Sequence, residues 1–184
     1  MEKAFGKDEV NVGALVPIRD TFGHKTHWKI EKFKGDFKSR EEAVKAGAEL
    51  FETLEFEDNC LLNSGINLLL TLGIGGSGTA WTNALAAIGI GDSATAADPT
   101  QTDLQAATNK TYKAMDATYP TNPCVSQQLV ARSTFASDDA NYLWNEIVLR
   151  NGVSSGTCLN RKVQAMGTKA SGTSWVATLT ITLS

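Results

Sequence analysis

The most regular pattern of apolar and polar residues lies near the end of the printed chain. From residue 174 to residue 183, apolar side chains alternate with side chains that are mostly small and polar. A period of two residues is the spacing of a β-strand that buries one face, so the pattern predicts a strand over 173–183. The face expected to be buried carries Trp175, Ala177, Leu179, Ile181 and Leu183.

Further strands are predicted earlier in the chain. Residues 125–135 alternate in the same way, and residues 84–91, 141–150 and 159–165 are short runs with strand character between polar, glycine-bearing turns. Several strands at such intervals are typical of an antiparallel sandwich or barrel. We therefore predict a mainly β fold of the α+β type, an antiparallel β-sandwich or barrel with one or two short helices and an extended N-terminal arm.

The predicted arm comprises residues 1–25. This segment shows neither helical nor strand periodicity, and a segment of that kind cannot bury itself. Two interpretations stay open. The segment is an unstructured terminus, or it is an extended arm whose apolar residues dock on a neighbouring subunit and become ordered on assembly.

A strand-helix-strand unit is predicted after the arm. Residues 26–34 alternate as a strand, and residues 50–57 alternate as the strand that pairs back on it. Between them, Ser39 and Glu42 have the spacing of a capping box, and Gly47 ends a short helix. These patterns predict three parts: an arm over 1–25, a strand-helix-strand elaboration over 26–58 and a β-rich core domain over 59–184.

The most apolar run covers residues 59–72. It contains seven Leu and Ile residues and is followed by Gly73, a natural helix terminator. The run predicts a buried helix, and a strand over 67–72 is the alternative that the pattern allows.

Charged residues are unevenly distributed. Basic residues outnumber acidic ones over 19–40, acidic residues dominate 41–58, and no Lys or Arg occurs between Lys45 and Lys110. Nucleic-acid binding depends on clustered basic residues, so the middle of the chain disfavours it. The basic stretch is expected to face solvent, with nucleic acid or an acidic protein surface as the alternatives.

The overall composition is that of a folded soluble protein. Of the 184 residues, 42% are hydrophobic and 20% are charged, and the formal net charge is −3. Nothing resembles the apolar core of a signal peptide or a transmembrane helix, so we expect no membrane partner. The three cysteines, Cys60, Cys124 and Cys158, lack the spacing of a disulfide framework or a zinc site.

Two glycine-containing motifs match those of enzymes but lack the context that enzymes require. Residues 73–78 fit G-x-G-x-x-G, but no strand-helix alternation of a dinucleotide-binding fold follows, which favours a flexible loop. Residues 152–156 fit G-x-S-x-G, but the histidines, His24 and His27, lie far upstream of this motif, which favours a hairpin turn. We predict no catalytic residue, no cofactor, no metal ion and no enzymatic activity.

Four short motifs occur in order along the second half of the chain. They are residues 88–93 (IGIGDS), 99–105 (PTQTDLQ), 141–146 (NYLWNE) and 159–162 (LNRK). Together they resemble a pattern of tailed-bacteriophage virion structural proteins, and the resemblance extends over residues 59–184. It implies a head decoration or cement protein, or a tail-associated collar, fibre or adaptor module. A small-ligand-binding domain that uses the loop at 73–78 is the third hypothesis.

Two features favour the head over the tail. The first 58 residues do not match the fibre version of the pattern, and no long repetitive shaft follows residue 183. The expected role is therefore a capsid decoration protein that binds the major capsid protein at the surface of a virion assembled in the host cytoplasm. Self-association is expected too, with a homotrimer as one arrangement. The residues expected to contact a partner are Leu15, Val16, Ile18, Phe22, Lys25, Trp28, Lys29, Lys32 and Lys34.

Overall fold

Two antiparallel β-sheets enclose the main hydrophobic core of the protein. A computed structural model describes residues 23–184. The predicted mainly β fold is confirmed. Because the two sheets are not closed into a barrel and pack on a shared core, the chain adopts the sandwich, one of the two predicted architectures. The strands within this range are β1 (His24–Lys34), β2 (Leu50–Glu57), β3 (Cys60–Leu61), β4 (Ala87–Gly91), β5 (Lys110–Ala114), β6 (Gln128–Phe135), β7 (Leu143–Arg150), β8 (Cys158–Thr168) and β9 (Thr173–Leu183). The helices are α1 (Arg40–Lys45) and α2 (Asn63–Gly73).

The first sheet combines early and late parts of the chain. Its strand order is β2-β1-β9-β6, and that of the second sheet is β3-β8-β7-β4-β5. Because β1 begins at His24, residues 24 and 25 belong to this strand and not to the predicted arm. Residues 26–58 supply two of the four strands of the first sheet, so this unit builds the sandwich together with the later strands.

Seven of the strands are those that the sequence pattern predicts, with ends shifted by three residues at most. The pattern does not reveal β3, which has two residues, or β5, whose sequence KTYKA is mostly polar. Both lie at the edges of the second sheet. An edge strand of this kind is positioned by its neighbours in the sheet and carries little apolar alternation of its own.

The main core is centred on aromatic rings. Trp144 of β7 packs edge-on against Phe135 of β6 and Trp175 of β9, with ring centroids 4.8 Å apart in both pairs. Such pairs are worth about 0.5–1.5 kcal/mol each beyond the burial of their area. The apolar face of β9 is buried as predicted, and only its last residue, Leu183, is partly exposed.

Helix α1 lies over the outer face of the first sheet. Its N-cap is Ser39, whose Oγ accepts the backbone N–H of Glu42 at 3.1 Å, so the predicted helix start is confirmed. The guanidinium group of Arg40 donates two hydrogen bonds to the buried carboxylate of Glu31 on β1, at 2.6 and 2.8 Å. These bonds fix the first turn of the helix to the sheet.

Helix α2 packs by one side beside β8 at one end of the sandwich. A helix is present as predicted, and the alternative strand over 67–72 is wrong. The predicted burial of the helix is wrong as well. Gly65 is buried, with no room for a Cβ above the backbone of Leu159, but Leu70 remains 62% exposed. A run of leucines fits a buried helix and a helix packed by one side equally well, and the contacts of α2 decide between them.

Candidate functional site

The loop over residues 92–109 covers the outer face of the second sheet. Leu104 of this loop is buried and packs on Val148 of β7 and Cys158 of β8, in a second apolar cluster separate from the main core. Ile147 and Leu149, the neighbours of Val148, face the main core instead. The second sheet is therefore buried on both faces at β7.

The carboxylate of Glu146 on β7 binds this loop to the sheet. It accepts the backbone N–H groups of Gln105 and Ala106, at 2.9 and 2.7 Å. It also accepts Nε of Arg161 on β8 at 2.7 Å, and the side chains of Glu146 and Arg161 are both inaccessible to solvent. A buried charge is tolerated only when it is paired and hydrogen-bonded, and here both conditions are met.

Arg161 extends the same network along the loop. One terminal nitrogen donates to Oε1 of Gln101 at 2.9 Å, and the other donates to the carbonyl oxygen of Thr95 at 2.8 Å. We call Glu146, Arg161 and Gln101 the motif network. It ties four positions of the loop, residues 95, 101, 105 and 106, to the sheet.

Two glycines of β4 make room for this arrangement. A Cβ on Gly91 would collide with the carboxylate of Glu146, and a Cβ on Gly89 would collide with the ring of Tyr112 and the side chain of Val148. Both glycines belong to the motif at 88–93. Their role in this structure is to allow side chains of the neighbouring strands to lie across β4.

The four motifs of the resemblance thus meet in one place. Residues 88–93 supply the glycines, residues 99–105 supply Gln101 and the loop, and the last two motifs supply Glu146 and Arg161. Sequence reasoning did not identify this network. The available signal was the resemblance itself, since three of its motifs contain a glutamine, a glutamate and an arginine, side chains that can bind one another.

A second polar cluster joins the loop to β5 and β8. The carboxylate of Asp103 accepts hydrogen bonds from the hydroxyl of Tyr112 and, at 3.6 Å, from the thiol of Cys158. Burial, and then the nearby Asp103 carboxylate, raise the pKa of both Tyr112 and Cys158. Both groups therefore remain protonated near neutral pH. A protonated thiol is a poor nucleophile, so the cluster has the properties of a structural contact.

The predicted partner-contacting residues fall into three groups. Leu15, Val16, Ile18 and Phe22 lie outside the described residues. Lys25, Lys29 and Lys34 are exposed or half-buried. Trp28 and Lys32 are buried, so the prediction that these two contact a partner is wrong.

The reason lies in the alternation of β1. Trp28 is on its inner face and belongs to the main core. Lys32 is on the same side, where Nζ donates to Glu52 and to the carbonyl oxygen of Met166, both at 2.7 Å, and lies 4.1 Å from the ring centroid of Trp175. Neither side chain can reach a partner while the sandwich is intact.

The uneven charge distribution is largely satisfied within the first sheet. Lys34 pairs with Glu49 at 2.8 Å, and both His27 and Lys29 lie near Glu55, at 3.3 and 3.8 Å. The basic residues are on β1, and the acidic ones lie on β2 or just before it. Antiparallel pairing of these two strands brings the basic and acidic stretches of the sequence side by side.

Neither enzyme-like motif lies at the kind of strand-to-helix turn that its enzyme class uses. Residues 73–78 begin with the last residue of helix α2 and continue from its C-terminal end, whereas a dinucleotide-binding loop lies between a strand and the start of a helix. Residues 152–156 form the turn between β7 and β8, as predicted. His27 is on β1, and the cysteines at 60, 124 and 158 are not joined by disulfides.

An apolar groove of about 520 Å³ opens at the end of the sandwich beside α2; we call it the end groove. Its walls include Leu69 and Leu70 of α2 and, across from them, His24 and Leu183 at the ends of β1 and β9. Sequence reasoning did not identify it, since it depends on how far α2 stands from the sheets.

Across residues 23–184, no three His, Cys, Asp or Glu side chains gather in a group that could hold a metal ion. In the same part of the chain, no helix has the length and apolar character needed to span a membrane. No protein-family model, curated protein or solved structure matches the chain.

Proposed function

We propose that this protein is a non-enzymatic structural subunit of a tailed-bacteriophage virion, and specifically a decoration protein that binds and stabilises the major capsid protein lattice. One observation carries the proposal. The four motifs of the resemblance, distant in sequence, converge on the motif network around Glu146 and Arg161. Short motifs that match by chance have no reason to supply residues that contact one another. The convergence therefore supports the interpretation that the four motifs form one structural unit and not four unrelated matches.

The described surface offers a face for such a partner. On the outer side of the first sheet, Lys25 of β1 lies opposite Thr182 of β9, which in turn lies opposite Gln128 of β6. These residues and Thr180 line a shallow polar depression, and Lys25 is exposed. Glu57 lines the depression as well, so the charge complement is confined to Lys25, which an acidic group on the capsid surface would pair with.

Repetition compensates for a modest contact. A stable interface buries about 1,200–2,000 Å² in total, and one face of this sandwich supplies only part of it. Self-association of subunits around a symmetry axis of the shell links several such contacts, so that the assembly binds far more tightly than one subunit.

Electron microscopy of labelled particles tests the proposal. A gold label on a peptide tag after residue 184 is expected over the whole capsid shell. Labels confined to the tail would reject the decoration role and favour a collar, fibre or adaptor module. Purified particles that carry no label, although the tagged protein is expressed during infection, would reject a virion role altogether. Particles from cells that express the untagged protein control for non-specific binding of gold.

A further inference from the structure

The end groove is a continuation of the hydrophobic core. Leu159 and Ile181 line it and also belong to the main core cluster, so no polar layer separates the two. On its outer wall, Leu69 and Leu70 of α2 present 41% and 62% of their surface to solvent. Contiguous apolar surface of this kind on a folded domain marks a site that binds another protein segment, a membrane or a ligand.

Strand β1 enters the sheet at the rim of this groove. The ladder between β1 and β9 continues one pair beyond His24 and Leu183. Gly23 donates its N–H to the carbonyl oxygen of Ser184 at 2.6 Å and accepts the N–H of Ser184 at 2.9 Å. The backbone at Gly23 is thus held in strand register, and Phe22 is the residue that precedes it in the sequence.

Strand alternation identifies the side chain that would enter. Trp28 and Thr26 lie on the buried side of β1, and His24, two residues further out, lines the end groove. The next residue in this series is Phe22. If the alternation of β1 continues by one more step, this aromatic side chain is directed into the groove.

We infer that the segment 15–22 of the same chain packs in the end groove, with Phe22 inserted between α2 and the end of β9. Leu15, Val16 and Ile18 supply further apolar side chains, and the groove is large enough for more than one of them. The inference concerns the isolated protein and does not rest on the proposed function.

The connection at Gly23 favours the segment of the same chain over that of a second copy. Consecutive Cα atoms are about 3.8 Å apart, so Phe22 reaches the rim without any linker. An attached segment has an effective concentration in the millimolar range, whereas a second copy must first associate. Docking on the same subunit differs from both interpretations that the sequence left open for this segment, an unstructured terminus and an arm that docks on a neighbouring subunit.

Substitution of Phe22 in the full-length protein tests the inference. Cys124 is an exposed free cysteine that lines the end groove, so its alkylation by iodoacetamide reports whether the groove is covered. Phe22→Asp is expected to increase the alkylation rate of Cys124 at least tenfold, and to increase the fluorescence of the apolar dye ANS. The matched control is Thr21→Asp, which places the same charge at the neighbouring position, where continued alternation would direct it away from the groove. This variant is expected to change neither quantity. Equal rates in the wild type and in both variants would overturn the inference.

Dilution distinguishes the same chain from a second copy. If the segment packs on its own subunit, protection of Cys124 in the wild type is constant over a hundredfold range of protein concentration. Protection that is lost on dilution would overturn the inference in favour of a second copy.

A second pair of variants changes the groove instead of the segment, in case Phe22→Asp does not fold. Leu70→Asp places a charge on the wall of the groove, whereas Ile74→Asp changes a residue that is 88% exposed and does not line it. Amide hydrogen exchange over residues 15–22 is expected to become at least tenfold faster in Leu70→Asp and to stay unchanged in Ile74→Asp. Exchange that is already unprotected in the wild type would overturn the inference.

Discussion

Nε of Arg161 lies 2.7 Å from the carboxylate of Glu146, and neither side chain has any surface exposed to solvent. The pair joins two neighbouring strands of the second sheet and, through Gln101 and the backbone of residues 105 and 106, holds the covering loop in place. The stability of the loop and that of the sheet are therefore coupled through these two residues.

Removing the charge of Glu146 is expected to destabilise the fold strongly. Glu146→Gln leaves the guanidinium group of Arg161 buried without a countercharge, a change that costs about 3–5 kcal/mol of unfolding free energy. Urea denaturation measures the loss. The control is Glu49→Gln, which breaks the exposed pair with Lys34 and should cost at most about 1 kcal/mol. A larger loss in the control than in Glu146→Gln would contradict the role of the motif network.

A methyl group at Gly91 is expected to disturb the same site from the strand side. Gly91→Ala forces the Glu146 carboxylate to move and should cost about 1–3 kcal/mol, as overpacking of a filled core does. Faster proteolysis within residues 92–109 should accompany the loss, because the loop loses its acceptor. Gly73→Ala is the control, since no atom lies within 4 Å of its added Cβ. If both variants retain wild-type melting temperatures, the close approach at Gly91 has no energetic consequence.

The stability of the protein is expected to depend on pH through Lys169. Nζ of this residue is buried, where it donates to the carbonyl oxygen of Ser137 at 3.1 Å and to Oδ1 of Asn141 at 2.9 Å. Burial lowers the pKa of Lys169 to about 8, although nearby acidic residues act in the opposite direction. Between this value and the ordinary pKa of lysine, the unfolded chain binds more protons than the folded one, so this contribution to stability increases as the pH rises.

Comparison with Lys169→Met isolates this effect. Between pH 7.5 and pH 9.5, the unfolding free energy of the wild type should rise by about 2 kcal/mol relative to that of the variant. Cys158 and Tyr112, whose pKa values are raised, act in the opposite direction at high pH but equally in both proteins. Parallel pH profiles of the two proteins in urea denaturation would show that the ammonium group of Lys169 is not perturbed.

Charge reversal at two lysines of β1 separates binding from stability. Lys25→Glu changes an exposed residue on the proposed capsid-binding face, so it should reduce co-sedimentation with capsids and leave the melting temperature unchanged. Lys32→Glu places a second carboxylate beside Glu52 in a buried site, so it should lower the melting temperature. Lys45→Glu, at the exposed end of α1, controls for net charge. Equal capsid binding by Lys25→Glu and the wild type would exclude this face as the contact.

The parts of the fold that the sequence predicts are those with a local pattern. Alternation alone locates β9 and the pairing of β1 with β2, and one capping side chain, Ser39, locates the start of α1. A local pattern does not predict those features of the fold that depend on contacts between segments distant in sequence. The leucines of α2 say nothing about how many sides of the helix are covered, and β5 is mostly polar because its place is set by the strand beside it.

The same limit applies to the candidate site. The basic stretch is expected from the sequence to face solvent, with an acidic partner surface as an alternative, but the register of β1 with β2 places it beside the acidic stretch of the same chain. Glu146 and Arg161 are both present in the motifs that the sequence reveals. Their contact is not predictable from the motifs, because it depends on the pairing of β7 with β8. Lys25, whose role remains a proposal, is an exposed residue that strand alternation and charge alone could identify.

The position of β9 between β1 and β6 has a consequence for synthesis on the ribosome. When β1 and β2 leave the exit tunnel, the strand that completes their sheet lies more than a hundred residues ahead and has not been translated. The inner face of the hairpin, with Trp28 and Ile30, must remain uncovered during that interval. Native pairings of such long sequence separation form slowly and expose nascent chains to aggregation. We expect folding to be a late, single cooperative event, and chaperone binding to the nascent chain to persist until β9 emerges.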